Sequence, residues 1–163
     1  ALLWALGCAV LAFFGAGVWG FMHTLHGVNY YTHGTQVTAA HGHLAFFGAY
    51  VSLNLAIMTY AMPYLLGRQP YNQVLNMLSF WVMSSAMAFM TFTLTFAGVV
   101  QTHLQRVLGQ GYMDVQDQLT LFYVLRLGAG AMVVIGALMF LWSIFGPVKP
   151  ELVSREADAA PAE

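Results

Sequence analysis

The chain has 163 residues, a formal net charge of −1, 60% hydrophobic residues and only 7% charged ones, against roughly 25% charged in ordinary soluble domains. No Asp, Glu, Lys or Arg occurs between Ala1 and Gly67 or between Gln69 and Gln105; runs that long are not soluble cores but membrane spans, with lipid as their partner. The near-neutral balance without a basic cluster excludes nucleic acid as a partner, and Cys8, the single cysteine, sits in an apolar run and supports neither a disulfide nor a thiolate metal site.

The predicted fold class is all-α, a polytopic membrane protein with four transmembrane helices. The first span covers about residues 2–22. It has no basic leader or cleavage site, so it does not read as a signal peptide. The chain starts without Met and already inside this span, so it is expected to belong to something longer. Gly15, Gly17 and Gly20 permit close helix packing. Residues 23–35 form a polar connection whose Tyr30 and Tyr31 suit a membrane interface.

The second span covers about 36–62 and is ended by Pro63 and the turn Leu66-Gly67-Arg68-Gln69-Pro70. The third covers about 73–103, with Ser84, Ser85, Thr91, Thr93 and Thr95 able to bond within a bundle. A loop is expected over 104–117. The fourth span covers about 118–145 and stops at Gly146-Pro147. Residues 1–148 thus form a transmembrane helical region, and 149–163 read as a charged, disordered tail.

The second span opens with Thr38-Ala39-Ala40-His41-Gly42-His43-Leu44-Ala45-Phe46-Phe47-Gly48. On a helix, residues two apart lie about 200° apart around the axis and about 3 Å apart along it. His41 and His43 therefore cannot grip one small ion together, but each can serve a large flat cofactor on its own side. Gly42 between them adds little bulk. The expectation is a helix held between two haems; the ordinary alternative is a pair of hydrogen-bonded structural histidines.

Alternating four spans across a membrane places His23, His26, His33, His41, His43 and His103, all six histidines of the chain, on one side. Arg68, Lys149 and Arg155 fall on the other side, against Arg106 on the histidine side, so the positive-inside rule makes the histidine-free side and the C-terminus cytoplasmic. Haem iron takes axial imidazole, and the ligand's second nitrogen normally donates to a carbonyl or carboxylate. Haem propionates need cations or donors near the surface. Arg106, His33, His103, Gln101 and the first-loop tyrosines stand on that side. Arg126 lies about 12 Å into the fourth span. A charge there costs roughly 2.5–3.5 kcal/mol on insertion scales, so it is expected to face the bundle and be paired. The possible partners are a propionate, a carbonyl, Asp117, Asp114 or an acid elsewhere in a larger assembly.

The run from Val28 to Phe46, with Asn29-Tyr30-Tyr31-Thr32-His33-Gly34-Thr35 ahead of His41-Gly42-His43, resembles the catalytic subunit of cytochrome c-dependent bacterial nitric oxide reductase, in the haem–copper oxidase superfamily. Gln101-Thr102-His103-Leu104-Gln105-Arg106-Val107, Tyr112-Met113-Asp114-Val115-Gln116-Asp117-Gln118 and Phe122-Tyr123-Val124-Leu125-Arg126-Leu127-Gly128 resemble the same subunit further on. The similarity covers the chain up to about Lys149 and corresponds to the last four of that family's twelve helices.

The resemblance implies two haem b groups: His41 as axial ligand of the high-spin, catalytic haem and His43 as one axial ligand of the low-spin haem. It implies His33 and Arg106 in the propionate layer. The activity implied is reduction of two nitric oxide molecules to nitrous oxide and water, in a bacterial inner membrane. Electrons would come from a cytochrome c through a haem c subunit, and the histidine-side loops would be periplasmic. The non-haem iron and the second ligand of the low-spin haem would be held by the remainder of the catalytic subunit, since their ligands have no counterpart here. Three rivals stand beside this reading. A cbb-type cytochrome c oxidase subunit, reducing oxygen to water, shares the His-X-His helix. A small di-haem electron carrier needs intramembrane histidines on two helices. A cofactor-free structural subunit leaves the one-sided histidines unexplained.

Overall fold

The computed structural model describes residues 1–67 and 71–147. The tail expected over 149–163, and Arg68, Lys149 and Arg155 with it, lie outside the described residues. Among these, helix is the only regular structure: α1 (Leu2–Thr24), α2 (His26–Thr32), α3 (Gln36–Leu65), α4 (Gln73–Val107) and α5 (Tyr112–Phe145). All but α2 are long and apolar enough to cross a membrane. At about 1.5 Å per residue, even α1 exceeds the roughly 30 Å hydrocarbon core.

Three connections differ from expectation. The polar stretch after α1 folds into the short α2, whose Thr32 hydroxyl caps back on to the Val28 carbonyl at 2.9 Å. Pro63 does not end α3, which runs on to Leu65; a proline one turn from a helix end removes a single ladder bond and is tolerated where neighbouring groups compensate. The expected loop at 104–117 shrinks to 108–111, because apolar residues on both sides keep burying: Val115 and Leu119 are fully buried with Ala97. The start of α3 is fixed locally. Gly34 has φ +72°, a left-handed turn that glycine adopts without strain. Thr35 then caps the helix, its side chain accepting from the Val37 amide at 3.3 Å.

The four long helices run alternately up and down. α4 is the central one, packed along α5 on one side and against the first turns of α3 on the other, with Met83, Met87, Met90 and Leu94 in the core. α1 lies across α3, and small residues let the backbones meet. A Cβ on Gly15 would sit 2.7 Å from the Leu44 carbonyl carbon, and one on Gly48 2.6 Å from the Ala12 nitrogen. Both glycines lie in π-helical segments, Phe13–Trp19 and Phe47–Val51, a geometry concentrated at functional places in helices. Gly98 of α4 likewise has no room for a Cβ against Val37.

Each end of the bundle carries a polar tie. At the histidine-free end, Asn76 of α4 accepts from the Trp4 indole at 3.1 Å and donates to Ser143 at 3.1 Å and Thr59 at 3.4 Å, joining α1, α5 and α3. At the histidine end, buried Gln101 accepts the Gln36 amide at 2.9 Å; the Gln36 side chain donates to Tyr123 at 3.1 Å, and Tyr123 to Gln116 at 2.6 Å. Satisfying these groups internally is what a bilayer requires. Large apolar side chains remain exposed along α1 and α5, Phe13, Phe21, Leu127 and Leu138 among them, faces suited to lipid or further helices.

Candidate functional site

His41 and His43 leave the first two turns of α3 in different directions, as their spacing requires. The His41 ring crosses to α1, its Nδ1 2.9 Å from the Gly15 carbonyl oxygen. The His43 ring folds back along its own helix, its Nδ1 2.8 Å from the Ala39 carbonyl oxygen. A carbonyl only accepts, so each Nδ1 carries the proton and each Nε2 is left with a lone pair. No hydrogen bond to either Nε2 forms among the described residues. Both rings are half-buried, and each is held in one tautomer and one orientation, the preparation that an iron-ligating histidine shows.

The space beside His43 is large. It forms part of the wall of two cavities, of about 510 and about 730 Å³, within the range of cofactor pockets. The first runs along α3 past Gly42 and Phe46 to Met87 and Val133. The second lies between α3 and α5, bounded by Met90, Tyr123, Arg126 and Gly130. Gly42 meets nothing within 4 Å of where a Cβ would stand, so a flat group can lie against the helix there. An unprotonated, oriented imidazole nitrogen beside a roomy apolar space fits an axially ligated haem.

His41 has a neighbour that the spacing of the motif did not point to. The His23 ring, from the last turns of α1, stacks on it at 5.0 Å between centroids and 25° between planes. His23 Nδ1 in turn lies 2.9 Å from the Trp19 carbonyl oxygen, and its buried Nε2 has no partner. The one signal in the sequence was that His23 and His41 fall at the same end of adjacent, opposed helices.

The remaining predicted residues lie at the same end. Arg106 Nη2 donates to the His33 carbonyl oxygen at 3.5 Å, both residues being exposed, so the two expected propionate-layer residues are neighbours. His26 and His103 are exposed. Gln101 is 1% exposed and its side-chain oxygen is taken by α3, which makes it a helix tie instead of a surface donor. Arg126 faces the cavity beside His43 and not the packed interior; it forms no ion pair with Asp114 or Asp117. Among the described residues no three His, Cys, Asp or Glu side chains are grouped to hold a metal ion, so the histidines act singly.

A family profile described as cytochrome c and quinol oxidase polypeptide I matches residues 1–133. The chain belongs to that family. It is therefore a member of the haem–copper oxidase superfamily, membrane oxidoreductases that work with haem, and the four apolar helices agree with an integral membrane protein. Within the family, a similar protein is a nitric oxide reductase subunit of Stutzerimonas stutzeri, 51% identical over 151 residues. The match covers 88% of this chain but 32% of that protein, so the chain spans about a third of its relative's length.

Proposed function

We propose that this chain is the haem-holding, C-terminal four-helix part of a cytochrome c-dependent nitric oxide reductase. Two nitric oxide molecules, two protons and two electrons give nitrous oxide and water. The observation that carries the reading is the paired anchoring on α3: His41 Nδ1 on the Gly15 carbonyl, His43 Nδ1 on the Ala39 carbonyl, and two Nε2 lone pairs directed to different sides of one helix. His41 is the axial ligand of the high-spin haem b and His43 one axial ligand of the low-spin haem b. His33 and Arg106 belong to the propionate layer. When bound, the low-spin haem relays single electrons and the high-spin haem offers the iron at which nitric oxide is reduced.

This chain's own residues orient and insulate. Gly15 and Ala39 keep both imidazoles in the Nδ1–H tautomer, the small Gly42 lets the macrocycles approach α3, and α4 supplies the methionine-rich core behind them. The rest of the catalytic subunit completes the site with the non-haem iron and the second low-spin ligand, and a haem c subunit passes electrons from cytochrome c. The setting is the bacterial inner membrane, with the histidine end periplasmic and the C-terminus cytoplasmic. Support comes from the 51% identity to a protein of that name and from the histidine geometry.

The test is a reduced-minus-oxidised spectrum of the purified complex containing this chain, as wild type, His41→Ala and His43→Ala. The expected result is loss of the ligand-binding high-spin signal in the first variant and of the low-spin signal in the second. Unchanged spectra in both would make the histidines structural and end the reading. Nitric oxide turnover with iron in excess of copper separates a reductase from a cbb-type oxidase.

A further inference from the structure

Arg126 stands in α5 with no anion to meet. The only acids in the sequence before residue 150 are Asp114 and Asp117. Both lie at the start of α5, and the nearer is nine residues, about 13 Å along the axis, from Arg126. Among the described residues Arg126 forms no ion pair or hydrogen bond. A guanidinium at that depth in a bilayer is costly unless it faces an aqueous or protein-lined space and finds a partner. What it does face is the cavity of about 730 Å³ whose wall also contains His43 and Tyr123.

The level of Arg126 within that cavity follows from the helix register. Tyr123, one turn before it, accepts from Gln36 in the first turn of α3. His43 lies seven residues beyond Gln36, about 10 Å deeper. Arg126 is therefore on the histidine-end side of His43, and helical side chains lean towards their own N-terminus, which here is the same end. The cation thus stands between the His43 imidazole and the membrane surface, on the edge of the space that His43 opens into. A planar guanidinium matches a carboxylate with two parallel N–H···O bonds.

Building on the assignment of His43 to the low-spin haem, we propose that Arg126 binds a propionate carboxylate of that haem and thereby holds its reduction potential up. It is a cofactor-binding residue distinct from Arg106, whose guanidinium lies on the surface against the His33 carbonyl. The sign follows from charge: ferric haem carries one more positive charge than ferrous haem. A cation that neutralises the propionate favours the ferrous form, and its removal favours the ferric form.

The experiment is a spectroelectrochemical titration of the whole complex as wild type, Arg126→Lys and Arg126→Gln, with infrared redox difference spectra on haem labelled with ¹³C in its propionate carboxylates. In Arg126→Gln the ferrous-to-ferric ratio of the low-spin haem at fixed ambient potential is expected to fall severalfold, with the high-spin couple unmoved. Arg126→Lys should keep most of the potential but shift the labelled carboxylate bands, since an ammonium cannot form the bidentate pair. Labelled bands identical in wild type and Arg126→Lys overturn the proposal. Changes confined to unlabelled carboxylate bands overturn it too, because they mark a protein acid as the partner. Should Arg126→Gln lose its haems altogether, the infrared result on Arg126→Lys decides. These outcomes are separate from failure of the low-spin assignment, which shows as an unchanged low-spin signal in His43→Ala.

Discussion

The imidazole of His41, on α3, is bonded across the helix interface to the carbonyl of Gly15, on α1. The same glycine is the point at which the two backbones touch, since a Cβ there would lie 2.7 Å from the Leu44 carbonyl carbon and 2.8 Å from the Ala45 nitrogen. Packing and ligand orientation are thus set by one residue. Gly15→Ala should force the helices apart, at about 1–3 kcal/mol for overpacking, and release His41 from its anchor. The expected outcome is a lowered and broadened iron–histidine stretching band of the high-spin haem in resonance Raman spectra, with the low-spin bands unchanged.

His23 braces the other face of the same ring, stacked at 5.0 Å and 25°. His23→Ala removes the brace and leaves the His41–Gly15 bond in place, so the high-spin haem should be retained at wild-type occupancy while its iron–histidine band broadens. His23→Phe keeps a flat ring in the stack and should restore the band width. Resonance Raman on the two variants, with haem content measured in parallel, separates a bracing role from a ligating one.

Asn76 is the tie at the opposite end of the bundle, joined to Trp4, Thr59 and Ser143. Interhelical hydrogen bonds in membrane proteins average about 0.6 kcal/mol and reach about 1.7, so losing three of them in Asn76→Leu should cost about 2 kcal/mol. The thermal midpoint of the complex should drop by several degrees. Because the tie lies at the histidine-free end, the haem spectrum before melting should match wild type.

The parts of this architecture that the sequence disclosed are those that a one-dimensional pattern encodes. Apolar runs without charge mark the four long helices, and the i, i+2 spacing of His41 and His43 sends two rings to different sides of α3. What stayed hidden depends on how the helices meet. Nothing local says that the carbonyl receiving the His41 proton is that of Gly15, twenty-six residues earlier, or that His23 stacks on the ring, because both follow from α1 crossing α3 at a pair of glycines. The same holds for Gln101: its position at the polar end of a span made it a surface donor on paper, whereas the close contact of Gly98 with Val37 carries it into the interface, where it caps the Gln36 amide. Arg126 was legible as an anomaly of depth but not of direction. Its placement beside His43 comes from the α4–α5 packing.

Gly42 offers a test in which helix stability and cofactor binding pull in opposite directions. It sits between the two histidines and lines the cavity beside His43, with no atom within 4 Å of where a Cβ would stand. In the protein alone, replacing a mid-helix glycine by alanine or leucine should stabilise α3, by up to about 1 kcal/mol on helix propensity. A macrocycle lying against α3 reverses the balance for the larger side chain, because the space a leucine fills is the space the ring needs. Gly42→Ala should therefore keep both haems, and Gly42→Leu should lose half or more of the low-spin haem while circular dichroism of the complex holds at wild-type helicity. Pyridine haemochrome assays on the purified variants read the difference directly. Full low-spin occupancy in Gly42→Leu would mean that the cofactor does not approach this face of the helix, and that the cavity beside His43 is filled by neighbouring protein.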